Sequence, residues 1–107
     1  MEDKLKLIKE VILNIAKKYD IGVDKIILFG SRAREDYKED SDWDILIVTK
    51  KVLDWKKRKA FLGDVLRTFA KMKIRVEMLI VDLETLDEYG KWKGFVYYHA
   101  MNEGIKI

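Results

Sequence analysis

Apolar residues at Leu5, Ile8, Ile12, Ile15, Ala16 and Tyr19 return at three- and four-residue steps among lysines and glutamates, the spacing of one face of an amphipathic helix. Gly22 stands where that helix ends, because glycine accepts the left-handed backbone that closes a last turn. The pattern then changes. Lys25-Ile26-Ile27-Leu28-Phe29 is short, β-branched and almost wholly apolar, which predicts a buried strand running into a tight turn at Gly30-Ser31. A second strand is predicted from about Asp42 to Val48. The doubly charged stretch between them, Arg32 to Ser41, reads as a short helix and a loop with no place in a core. Asp54 is placed to cap a helix through Arg67 or slightly beyond, with Trp55, Ala60, Phe61, Val65, Leu66 and Phe69 as its apolar set and Gly63 as its weak point. Ile74 to Val81 predicts a third strand, Asp82 or a neighbour a further cap, and Phe95 to Met101 a terminal helix carrying aromatics.

Helices and strands that alternate in this way argue for an α/β fold, helices packed on a small sheet. With 107 residues, 49% of them apolar, the chain suits one compact domain, residues 1–107. It holds no apolar run of bilayer length, and its charged start leads into an amphipathic pattern, so a cytoplasmic, membrane-free protein is expected. Having no cysteine, it has no disulfide framework, thiolate metal site or cysteine nucleophile. Any metal must be held by oxygen. The net charge of +3 comes from 22 basic and 19 acidic residues, a balance that by itself does not imply nucleic-acid binding. Lysine and glutamate are abundant, glutamine is absent, and asparagine occurs only at Asn14 and Asn102, a bias of proteins from very hot environments. The expected result is a melting temperature well above the mesophile range of about 45–65 °C, read by calorimetry.

Three short stretches carry the chemistry. Gly30-Ser31 ends a strand where glycine permits a path that side chains forbid and the next helical turn presents unpaired N–H groups, which would also bind a phosphate. Asp42 and Asp44 are two apart on a predicted strand, so both carboxylates project from one face. Such neighbours repel unless a cation lies between them, and magnesium prefers oxygen ligands of this kind. Glu77 interrupts the apolar run Ile74 to Val81, where a charge needs a partner or a cation. If the third strand lies beside the second, Glu77 faces both aspartates; Arg75 is the plainer partner. A simple capped turn and two solvated aspartates are the plainer readings of the other stretches.

Together, Gly30-Ser31, Arg34, Ser41-Asp42-Trp43-Asp44 and a later acid on a strand resemble the DNA polymerase beta-like nucleotidyltransferase superfamily, and within it the minimal nucleotidyltransferase antitoxins. The ending Glu103-Gly104-Ile105 resembles the acidic-Gly-hydrophobic close of that family. The resemblance implies a nucleotidyltransferase fold with a mixed sheet. It implies that Asp42 and Asp44 bind two magnesium ions, that Glu77 supplies the third carboxylate, and that Gly30, Ser31, Arg34 and Ser41 hold the nucleotide. It also implies AMP transfer from ATP to a tyrosine on a HEPN-type toxin, which the transfer would neutralise. Two positions depart from the family pattern: Glu35 stands where glycine is frequent, and Glu77 where aspartate is.

Two other outcomes stay open at this stage: a module of the same fold that masks a toxin by contact alone, and transfer to RNA or a small molecule. Lys50, Lys51, Lys56, Lys57, Arg58 and Lys59 surround Trp55 and could attract RNA or an acidic partner, although a solvated helix face is the simpler reading. Tyr89, Trp92, Phe95, Tyr97 and Tyr98 are expected to pack the terminal helix on the core, with a docking surface as the alternative for this aromatic-rich end. His99 is the sole histidine and supports no Ser/His/Asp arrangement.

Overall fold

The computed structural model describes residues 2–89, 91–92 and 96–107. Its elements are α1 (Glu2–Lys18), β1 (Val23–Phe29), α2 (Gly30–Arg34), β2 (Trp43–Thr49), α3 (Trp55–Lys71), β3 (Val76–Asp82), α4 (Leu83–Tyr89), α5 (Val96–Glu103) and β4 (Ile105–Lys106). The strands form one mixed sheet in the order β3-β2-β1-β4. β1 is antiparallel to both β2 and β4, while β2 and β3 run parallel through the crossover helix α3. A parallel neighbour requires such a crossover, and α3 supplies its length.

Period-two alternation sorts the strand side chains onto two faces. Ile26, Leu28, Trp43, Ile45, Ile47 and Ile80 join Ile8, Ile12 and Ala16 of α1 and Phe61, Val65 and Phe69 of α3 in one cluster. Ile27, Leu46, Val48 and Val81 meet Leu86 of α4 and Ala100 of α5 in a second cluster. Because both faces of β1 and β2 are covered, these strands read as nearly continuous apolar runs. Trp55, Ala60 and Leu66, counted in the sequence among the apolar set of α3, are exposed; its buried stripe is Phe61, Val65 and Phe69.

The predicted caps fall into place. The Asp54 carboxylate accepts the Lys57 N–H at 2.9 Å. Asp82 accepts the Thr85 N–H at 2.9 Å and its hydroxyl at 2.8 Å. Burial works to raise the Asp82 pKa, and the bonds from Thr85 together with the backbone N–H groups of Asp82 and Glu84 outweigh it and hold the carboxyl below its ordinary value. Removing the first cap, Asp54→Ala, is expected to cost about 1 kcal/mol, measured by urea denaturation with an unchanged m value.

Other expectations need correction. The left-handed residue that ends α1 is Asp20 (φ 56°), with the Ile21 N–H reaching back to the Ala16 carbonyl at 2.8 Å, rather than Gly22. An aspartate tolerates this backbone almost as glycine does. The stretch from Arg32 to Ser41 does contribute to the interior, through Arg32, which is 7% exposed. The fourth strand was not expected: two residues are too few to show a period. Gly104 leads into it in a space where an added Cβ would collide with the Ala100 carbonyl and the Ile27 side chain. Of the aromatics near the end, Tyr97 packs on the second cluster, while Trp92 is 57% exposed and meets Tyr89 edge-on at 5.5 Å. Phe95 lies outside the described residues. No described helix is long and apolar enough to cross a membrane.

Candidate active site

The carboxylates converge at the end of the sheet where β2 and β3 begin. In the parallel register Asp44 stands directly beside Glu77, a separation of about 4.8 Å between backbones. Asp42 precedes the strand, and the Trp43 N–H is tied to the Arg75 carbonyl at 2.9 Å. Burial, then the adjoining Glu77 carboxylate and then Asp42 push the Asp44 carboxyl from its ordinary 3.8 up to about 6, with Arg34 acting in the opposite direction. Asp42, Asp44 and Glu77 thus lie near the same end of the sheet, with Asp44 and Glu77 side by side in register.

A raised carboxyl pKa has a definite sign in stability. Between 3.8 and about 6 the folded protein keeps a proton that the unfolded chain has released; this stabilisation is complete below the lower value and is lost as pH rises through the upper one. Asp44→Asn, which cannot ionise, is therefore expected to stabilise the protein at pH 8 in a chelator. After discounting for the solvent access of this half-buried group the gain is about 1 kcal/mol. At pH 3.5 the gain should vanish, as urea denaturation at the two pH values would show.

Gly30, the first residue of α2, sits beside this carboxylate, directly after Phe29, the register partner of Asp44 at the end of β1. Its φ is +72°, and a Cβ there would run into the Asp44 carboxylate, with the carboxyl carbon only 2.9 Å away. Glycine is thus required twice, for the backbone turn and for the space that Asp44 fills. Ser31 follows in α2, and its carbonyl accepts the N–H groups of Glu35 and Asp36. Glu35 itself adopts the left-handed conformation (φ 63°) that ends α2, which accounts physically for glycine being the easier residue there. Arg34 is half-exposed and pairs with Asp36 and with Glu103 of α5, each at 3.5 Å. It ties the last helix to the rim of the site.

Three features differ from the sequence reading. Glu77 is exposed on the edge strand β3, so it is not a charge forced into a core. Arg75 pairs with Asp42 at 3.0 Å and not with Glu77. Arg32, read in the sequence as part of a solvated charged stretch, has its donors committed within the protein. Its Nε and Nη2 donate to the Ser41 carbonyl at 3.1 and 2.9 Å, and Nη2 to that of Glu39 at 3.1 Å. The guanidinium lies 4.0 Å from the Trp43 ring centre and 4.7 Å from that of Tyr37. This stacked cation fixes the loop that delivers Asp42. Trp43, set between two aspartates, was the available signal for it. The Ser41 hydroxyl accepts the Lys38 N–H at 2.9 Å, so its side chain closes a local turn. A cleft of about 590 Å³, lined in part by Lys4, Tyr37, Ser41, Trp43 and Arg75, includes none of Asp42, Asp44 and Glu77.

The magnesium implied by the resemblance can be tested against this donor set. Neighbouring carboxylates, one of them with its ionisation suppressed by burial and by the others, are what a divalent cation relieves, and every donor is an oxygen. The residues fit. Among the described residues no three side chains already converge as a closed metal cage, one Asp42 oxygen being held by Arg75.

Side-by-side carboxylates at one end of a small mixed sheet, beside a glycine-led helical turn, form an oxygen donor set of the kind that divalent cations take. The chain belongs to the polymerase beta nucleotidyltransferase family, whose model matches residues 10–106, and it is a nucleotidyltransferase. Two Methanocaldococcus jannaschii proteins named for an inferred protein adenylyltransferase activity are similar to it. One is 34% identical over 71% of this chain and 77% of its own length. The other is 58% identical over 40% of this chain, a match spanning 43% of that relative. A Sulfolobus solfataricus structure described as an inferred nucleotidyltransferase superposes with a TM-score of 0.58 at 31% identity, covering 78% of this chain and 71% of that one. The toxin–antitoxin MntA-HpeT, in a mutant form, matches with a TM-score of 0.55 at 17% identity over 89% of this chain and 68% of that one. A toxin–antitoxin with AMP-PNP gives 0.54 at 18% identity over 91% and 69%. At these identities the last two show the shared fold.

Proposed function

We propose that the chain, acting as one domain over residues 1–107, transfers AMP from ATP to a tyrosine hydroxyl of a HEPN-type partner toxin and so serves as its antitoxin. The observation that carries the reading is the side-by-side register of Asp44 and Glu77, with Asp42 two residues before and Gly30 opening the space beside them. The adenylyltransferase names of the two relatives and the toxin–antitoxin neighbours support the donor and the kind of acceptor.

In the reaction the acceptor oxygen attacks the α-phosphorus of ATP; an O–P bond forms, the bond to the β-phosphate bridging oxygen breaks, and pyrophosphate leaves with that electron pair. Glu77, exposed on the edge strand, would lower the cost of deprotonating the acceptor hydroxyl. Asp42, Asp44 and Glu77 would hold two magnesium ions. When bound, these supply charge neutralisation at the phosphorus and at the entering and leaving oxygens. Gly30-Ser31 and Ser41 border the triphosphate, and Arg34 stands close enough to Asp44 to offset negative charge developing there. With ATP as donor the place of action is the cytoplasm.

The test is incubation of the chain with α-labelled ATP and magnesium, with and without a HEPN-type toxin supplied as acceptor. Metal-dependent label on a partner tyrosine is the expected result. A partner that is bound and neutralised without label points instead to masking by contact, and label on RNA or a small molecule to a different acceptor; either outcome overturns the proposal.

A further inference from the structure

Residues 50–60 hold six of the chain's 22 basic residues and one of its 19 acids, so this stretch carries +5 while the rest of the chain sums to −2. The whole positive excess is gathered in one place. Within it lie Trp55 and Val52, 68% and 66% exposed, the two most exposed of the large apolar side chains among the described residues. Neither packs on the core, although both sit on well-anchored backbone. The Lys50 N–H donates to the Gly22 carbonyl at 2.9 Å, the Thr49 hydroxyl donates to the Lys51 carbonyl at 2.8 Å, and Asp54 caps α3 through Lys57. A groove of about 360 Å³ runs through the patch, bordered by Lys50, Lys51, Val52 and Lys57. Its carboxylates are Asp20, which ends α1, and Asp54, which is occupied by the cap. The Lys50 stem lies over Gly22, where an added Cβ would come within 3.2 Å of it.

We propose that this groove, together with the exposed Trp55 that follows Asp54 just outside its lining, forms a binding site for single-stranded nucleic acid. Lysines along a groove meet successive phosphates as point charges, and an uncovered indole offers a face on which a base of any identity stacks. Composition separates this ligand from a protein partner: protein–protein interfaces are depleted in lysine at their centres, whereas here lysines surround the aromatic. Gathering of positive charge into one stripe is the footprint of a polyanion. The patch follows the far end of β2, about 17 Å along the strand from Asp44, so a strand can be held there while the carboxylates remain open. The site is independent of the transfer reaction proposed above.

Fluorescence anisotropy of a labelled 12-nucleotide single-stranded RNA, titrated with the full chain, tests this directly. The expected result is saturable binding whose log K falls with log salt at a slope of about −2, the value for three phosphate contacts on a single strand. Trp55→Ala should weaken binding about tenfold with the slope unchanged. Lys51→Gln with Lys57→Gln should make the slope shallower by about 1.4. All three positions lie outside the buried clusters, and circular dichroism checks that the variants fold. Absence of binding at 50 mM salt, affinity unaffected by these substitutions, equal affinity for a duplex, or equal competition by polyglutamate would each overturn the proposal, the last in favour of an acidic protein. Because the readout needs neither ATP nor magnesium, a failed transfer assay and a failed binding assay are separable.

Discussion

Replacing two carboxylates together, Asp42→Asn with Asp44→Asn, is expected to lower nucleotidyl transfer by about a thousandfold or more while leaving the protein folded. Asn keeps the shape of Asp but not its charge, so neither position can balance a cation or orient a triphosphate through one. The same change removes the charge that burial first, and then the neighbouring Glu77 and Asp42, disfavour in pushing the Asp44 carboxyl to about 6. Loss of activity should therefore come with a protein at least as stable as wild type at pH 8 in chelator. That pairing distinguishes a removed site from a damaged fold. Radiolabel transfer and urea denaturation on one preparation would test it; retained transfer would show that these aspartates do not carry the reaction. With Asp44→Asn alone, the remaining Asp42 and Glu77 should leave a weaker metal requirement that calorimetric titration with manganese can read apart from turnover.

Gly30→Ala is the second large effect. The new methyl group must occupy space that the Asp44 carboxylate now fills, on a backbone at φ +72°. Left-handed backbone strain on an alanine costs about 1–2 kcal/mol, read as a lower urea midpoint. The effect on chemistry is expected to be greater. A displaced Asp44 no longer stands beside Glu77, and a shift of about 1 Å in a reacting group can cost on the order of a hundredfold in rate. Transfer should fall by about that factor in kcat, with a smaller change in KM for ATP. A Gly30→Ala protein with full kcat would mean that the closeness of Gly30 and Asp44 has no part in catalysis.

Much of the fold was legible because local patterns and tertiary packing agree. The three-and-four spacing of α1, the Asp54 and Asp82 caps, and the apolar runs of β1 and β2 each follow from a period or a side-chain preference that needs no distant contact. The Ser41-Asp42-Trp43-Asp44 and Gly30-Ser31 motifs, taken jointly, were enough to suggest the family to which the chain belongs.

What local spacing could not decide was whatever depends on residues brought together from afar. Period two placed Asp42 and Asp44 on one side, but only the parallel pairing of β2 with β3 set Glu77 beside Asp44. Burial of Glu77 was inferred from its apolar neighbours; β3 is the edge of the sheet, and an edge leaves a charged side chain in water. Arg32 looked like one more charge in a polar loop until Trp43 and Tyr37 closed on its two sides and the Ser41 and Glu39 carbonyls satisfied it. Trp55 matched a helical apolar stripe, yet α3 turns it away from the core. The sequence by itself determined the elements, their caps and the candidate carboxylates, since periodicity and capping act over a few residues. Strand order, register and the partners of each charge came only with the tertiary structure, because those energies belong to contacts between segments far apart in the chain.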